Sequence, residues 1–175
     1  MSPNADAIKK PDANLTSEMY GLLAEMRLLA SAASSLRELQ LRIVQAIADN
    51  FPYYNWTGFY MLDPAEPKSL LLGPFLGDAT PHVRIPLTEG ICGAAAASGE
   101  SVIVDDVNAD PRYLSCSIKT KSEIVVPIYA HGKVIGEIDV DSHSAAAFTG
   151  LDRAFLEATA RIVGQYIERT ASPAD

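Results

Sequence analysis

Apolar residues recur at every third or fourth position from Leu15 to Asn50, then at every second position in short runs that end near Ser142. The first spacing is that of an α-helix and the second that of a β-strand. The helical stretch divides into Leu15 to about Ala33 and Leu36 to Asn50. In the second part Leu36, Leu39, Ile43, Val44 and Ile47 share a face, and Ser35 with Glu38 has capping-box spacing. Six strands are predicted at 55–62, 69–75, 83–87, 101–106, 123–130 and 133–142, each bounded by turn residues. His131-Gly132 between the last two is a two-residue hairpin loop, which makes that pair antiparallel. Residues 92–99, CGAAAASG, read as a short helix closed by Gly99, and 107–122 lack any period and read as a long loop. A last helix over 151–169 starts at a Thr149/Asp152 capping pair. Its stripe of Leu151, Phe155, Leu156, Thr159, Ile162, Val163 and Tyr166 belongs to a core or a dimer interface. The order of elements defines a two-layer α+β domain spanning 15–170, with 1–14 as a disordered leader and 171–175 as a tail.

Composition narrows the function classes. A chain of 175 residues with 48% apolar content can bury one core. A net charge of −8 without a Lys/Arg cluster argues against a reader of nucleic-acid backbones. No run approaches the roughly 20 apolar residues of a membrane span, and the first residues lack the apolar segment of a secretory signal, so no membrane partner and a cytoplasmic location are expected. Two cysteines are too few for a disulfide scaffold and are either core thiols or a redox pair.

Candidate chemistry concentrates on the last strand. Alternation puts Val134, Gly136, Ile138 and Val140 on one face and Ile135, Glu137, Asp139 and Asp141 on the other. The acidic face is either solvated or a carboxylate cluster aimed at a cation, which Glu123 on the preceding strand could join. A ligand ammonium suits such a cluster better than a metal, because no calcium-loop spacing is present. Cys92, after Gly90 at a helix start, stands where the helix dipole lowers a thiol pKa. Cys116, between Ser115 and Ser117, lies in the long loop. Trp56, Gly58 and Tyr60 share a strand face that serves packing or walls an apolar pocket. His82, His131 and His143 have no repeated metal-ligand spacing and read as surface or turn residues. No nucleophile elbow, P-loop or G-x-G-x-x-G is present.

The segments NWTGFYML, LLLGPF, VRIPLTEGICGAAAASGE, VDDVNADP, SEIVVPI and GKVIGEIDVDS, in this order and with the Cys116 loop between the fourth and fifth, resemble the GAF domain fold. Within it they resemble the free methionine-(R)-sulfoxide reductases, over residues 15–168. The resemblance implies a six-stranded, mainly antiparallel sheet with the terminal helices on one face and pocket-lining loops on the other. It also implies a cofactor-free cytosolic homodimer that reduces free methionine sulfoxide with cysteine thiols recycled by thioredoxin. It assigns the redox thiols to Cys92 and Cys116, with Cys116 attacking and Cys92 resolving. It gives the substrate's amino group to Glu123, Asp139 and Asp141, and its methyl group to Trp56 and Tyr60. Glu123 would supply the proton to the sulfoxide oxygen. The chain departs from the family at His82, where a third cysteine is usual, and at Asn108, where an Asp-Val-His run is usual. The alternative reading is a GAF sensor domain that binds a small ligand without chemistry.

Overall fold

The computed structural model describes residues 15–115 and 117–171. The expected leader, Cys116 and the end of the expected tail lie outside them. Among the described residues four α-helices, α1 (Ser17–Ala32), α2 (Leu36–Asn50), α3 (Gly90–Ser98) and α4 (Gly150–Thr170), accompany six strands. These are β1 (Trp56–Leu62), β2 (Ser69–Leu76), β3 (Arg84–Pro86), β4 (Val102–Val104), β5 (Ser122–Ala130) and β6 (Lys133–Ser142). They form one sheet in the order β3-β2-β1-β6-β5-β4, with every neighbouring pair antiparallel.

The helix stripes read from the sequence are the ones that are buried. Leu39, Ile43, Val44 and Ile47 of α2 and Phe155, Leu156, Ile162, Val163 and Tyr166 of α4 meet Phe59, Ile124, Val126, Ile128, Ile138 and Val140 of the sheet. Burying one such side chain stabilises by about 1.5–3 kcal/mol. At α4 the expected cap forms: Asp152 accepts from the Thr149 backbone N–H at 2.7 Å, and also from the Tyr53 and Tyr54 hydroxyls at 2.6 and 2.7 Å. At α2 the box is half formed. Ser35 Oγ accepts from the Glu38 N–H at 3.2 Å, but the Glu38 carboxylate turns back to the N–H of Ser34 at 2.9 Å rather than to Ser35. The β5–β6 hairpin turns through His131 and Gly132 with φ of 50° and 73°, as a primed two-residue turn requires. Among its described residues the long 107–122 segment holds a 3-10 turn at Val107–Ala109, and its last residue, Ser122, already belongs to β5.

One face assignment needs correction. Ile128 pairs with Gly136, but Tyr129 pairs with Val134, so the ladder skips Ile135. This bulge reverses the alternation at the start of β6. Ile135 packs with the helix-side core, whereas Val134 packs on the opposite face. From Gly136 onward the alternation holds, and Glu137, Asp139 and Asp141 all lie on the face away from α2 and α4. That face is covered by α3 and by the loops before β3 and β5. Among the described residues no helix is long and apolar enough to cross a membrane.

Candidate active site

The three central strands bring the acidic positions of β6 between aromatic residues of β1 and the start of β5. Asp141 pairs with Trp56 on one side and Glu123 on the other. Asp139 pairs with Gly58 and Val125, and Glu137 with Tyr60 and Pro127. The acidic face is not solvated: Glu123, Glu137, Asp139 and Asp141 are 6%, 0%, 3% and 4% exposed.

α3 is laid across this face, and its small residues permit the approach. A Cβ at Gly93 would stand 2.8 Å from the Pro86 carbonyl oxygen. The helix begins at Gly90, two residues earlier than the sequence indicates, so Cys92 is its third residue and points inward. Cys92 Sγ lies 4.0 Å from Glu123 Oε1. The sulfur and one oxygen each from Glu123 and Asp139 all lie within 4.8 Å of one another.

Electrostatics follows from that burial. Desolvation raises Glu123 well above the usual carboxylate range, and the charges of Asp139, Asp141 and Glu137 add to it. Glu137 and Asp141 are raised by the same burial, with the Cys92 contact partly offsetting it for Glu137 and a hydrogen bond from Thr120 for Asp141. Burial pushes Asp139 up to about 7, against the Cys92 and Glu123 side chains that favour its charged form. Cys92 moves opposite to the helix-dipole expectation. Burial first, then the charges of Asp139, Glu137 and Glu123, raise its thiol well above the ordinary value. The dipole favours a thiolate only modestly at an exposed helix end, whereas full desolvation beside carboxylates opposes it strongly.

The aromatic residues wall the site. Trp56 stacks on Phe75 with ring centroids 5.3 Å apart, and Tyr60 lies 6.3 Å beyond. Their polar ends hold the roof: Trp56 Nε1 donates to the Asp78 carbonyl at 3.1 Å, and the Tyr60 hydroxyl donates to the His82 carbonyl at 2.8 Å. His82, expected as a surface or turn residue, is half-buried in an irregular segment and also lines the inner cavity with Tyr60, Cys92, Glu123 and Asp139. Its Nε2 meets the Ser115 carbonyl at 3.0 Å. The inner cavity is about 10 Å³ and a neighbouring one, lined by Trp56, Asp141, Thr120 and Ser117 among others, about 110 Å³. A larger groove of about 870 Å³ between α1 and α4 contains none of these carboxylates or thiols. The structure thus brings together Cys92, Glu123, Asp139, Asp141, Trp56 and Tyr60. Glu137, on the acidic face but outside the expected substrate set, joins them, and the alternation of β6 was the signal that could have found it.

A six-stranded antiparallel sheet with helices on one face and a roofed pocket on the other defines the GAF architecture. Residues 33–168 match the GAF domain family, and the chain belongs to it. It is 42% identical over 112 residues to the free methionine-R-sulfoxide reductase of Saccharomyces cerevisiae, covering 63% of this chain and 62% of that protein. The chain thus spans under two thirds of that relative's length. It is 34% identical to the Escherichia coli free methionine-R-sulfoxide reductase over 80% of this chain and 78% of that one. Among solved structures, the free methionine-R-sulfoxide reductase from Neisseria meningitidis in complex with its substrate superposes with a TM-score of 0.82 at 31% identity, covering 88% and 92% of the two chains. A protein from Burkholderia vietnamiensis described as a GAF sensor superposes with a TM-score of 0.78 at 36% identity, covering 85% and 93%.

Proposed function

We propose that this chain reduces free methionine-(R)-sulfoxide to methionine. The observation that carries the reading is a thiol and a carboxylate cluster buried together beside an aromatic wall, on a fold shared with proteins named for that reaction. Several buried carboxylates tolerate one another when a cation sits among them, and the ammonium of an amino acid is such a cation. Glu123, Asp139 and Asp141 hold it, while Trp56 and Tyr60 receive the apolar end that carries the oxidised sulfur.

In this scheme the Cys116 thiolate attacks the sulfoxide sulfur while Glu123, buried and carrying a proton, donates to the sulfoxide oxygen. Methionine leaves and Cys116 becomes a sulfenic acid. The Cys92 thiol then condenses with it, forming the disulfide and releasing water. A dithiol reductant of the thioredoxin class returns two electrons and two protons to the pair. A cytoplasmic homodimer is part of the same proposal. The test is turnover of the R epimer with a thioredoxin system. Wild type is expected to be active and Cys116→Ser inert, and equal inactivity of both would end the enzyme reading.

A second reading, a ligand-binding sensor, is favoured by His82 at the usual place of a third cysteine and by the likeness to the Burkholderia protein. It predicts that methionine sulfoxide raises the melting temperature without being converted.

A further inference from the structure

The buried carboxylates and Cys92 have a second chemical property, independent of any reaction. A sulfur and two carboxylate oxygens, from Cys92, Glu123 and Asp139, stand within 4.8 Å of one another, and the sulfur and the Glu123 oxygen are 4.0 Å apart. Bonds of about 2.3 Å to sulfur and about 2.0–2.2 Å to oxygen in a tetrahedral zinc site place donor atoms about 3.4–3.6 Å apart. The three donors are therefore at most about 1.2–1.4 Å wider than ligation requires.

The orphaned oxygens point the same way. Both carboxylate oxygens of Glu137 and Oδ1 of Asp139 are buried without a hydrogen-bond partner among the described residues. Glu137 is 0% exposed, and it acts on the Cys92 thiol from the adjacent position along β6. Buried polar atoms ordinarily find partners. A cation held by Cys92, Glu123 and Asp139 would give the Asp139 oxygen one.

We propose that Cys92, Glu123 and Asp139 form a binding site for a divalent cation of the zinc class, with the fourth position left to solvent as in three-ligand zinc sites. The donor set selects the class. A thiolate is a poor ligand for magnesium or calcium, and carboxylates are poor ligands for copper(I), whereas zinc, cobalt(II) and cadmium accept both. Because the ligands overlap the carboxylates assigned to the substrate's ammonium, bound metal excludes that ammonium and ties up Cys92. This consequence for activity rests on the reading in the preceding section, but the binding does not.

Cobalt(II) is the probe, because thiolate-to-cobalt charge transfer reports the sulfur ligand directly. The reduced full-length chain is expected to bind one equivalent with that absorption band, and zinc is expected to displace it. Cys92→Ser should abolish the band and Cys116→Ser should retain it. Asp139→Asn, checked for retained fold by circular dichroism, should weaken binding by at least the roughly tenfold that loss of an outer-shell partner alone costs. The proposal is overturned by absence of the band at millimolar cobalt, by a band that follows Cys116 instead of Cys92, or by binding indifferent to Asp139→Asn. Since no turnover is involved, binding in a chain without reductase activity would sink only the enzymatic reading. Turnover in a chain that shows no band would sink only the metal site.

Discussion

Replacing Asp139 by Asn should change how the stability of the metal-free protein depends on pH. Asp139 is 3% exposed, and burial raises it from 3.8 to about 7. Between those values the folded state keeps a proton that the unfolded chain has released. Unfolding then loses protons, so stability falls as pH rises. The contribution is fully present below about pH 4, is lost as the pH climbs through about 7, and amounts to about 4 kcal/mol over the interval. Asn cannot ionise. Urea unfolding in chelator-treated buffer at pH 4.5, 5.5, 6.5 and 7.5 should therefore show the variant gaining on wild type step by step. The gain should approach about 1.4 kcal/mol per pH unit in the middle of the range. Parallel curves for the two proteins, or a wild-type stability that rises between pH 4.5 and 7, would refute the claim that this buried carboxyl holds a proton.

Two backbone contacts give further tests. A Cβ at Gly164 would run into the Tyr129 carbonyl oxygen, so Gly164→Ala should force α4 off β5 and cost about 2–4 kcal/mol, read as a fall in the thermal midpoint. A Cβ at Gly58 would run into the Trp56 ring and stand 2.7 Å from Phe75 Cβ, so Gly58→Ala should displace the aromatic wall. Its expected effect is a rise in KM for methionine sulfoxide of about tenfold, the equivalent of about 1.4 kcal/mol, with the fold retained. An unchanged KM would mean that Trp56 does not contact the substrate.

Much of this architecture is written locally. The bounds of α2, the His131-Gly132 turn and the Thr149/Asp152 cap depend on side chains within a few residues of one another, and each appears where the pattern places it. The start of β6 was not legible because a bulge skips Ile135, and a skip leaves no mark in hydrophobicity. The acids of β6 fell on one face as expected, but whether that face meets water depends on α3 and two loops laid across it from elsewhere in the chain. The same cover reverses the expected shift of Cys92: the helix end is a local feature and favours the thiolate, while the carboxylates opposing it come from β5 and β6. His82 follows a proline and reads as a turn residue. Its place above the cavity comes from Tyr60 and Ser115, 22 and 33 positions away.

The common feature of the site is a demand for positive charge. Glu123, Glu137, Asp139 and Asp141 share one buried sheet face too dry to keep them all ionised, so under the two proposals protons, a ligand ammonium and a divalent cation compete for its carboxylates. Each occupant stabilises the folded chain according to its own concentration and displaces the others. Raising the pH removes the protons and should strengthen binding of either cation, up to the point where the ammonium itself is deprotonated. Measured affinities for methionine sulfoxide and for cobalt should therefore rise together between pH 5.5 and 7.5. An ammonium affinity that falls over that range would mean the amino group is held by something other than Glu123, Asp139 and Asp141.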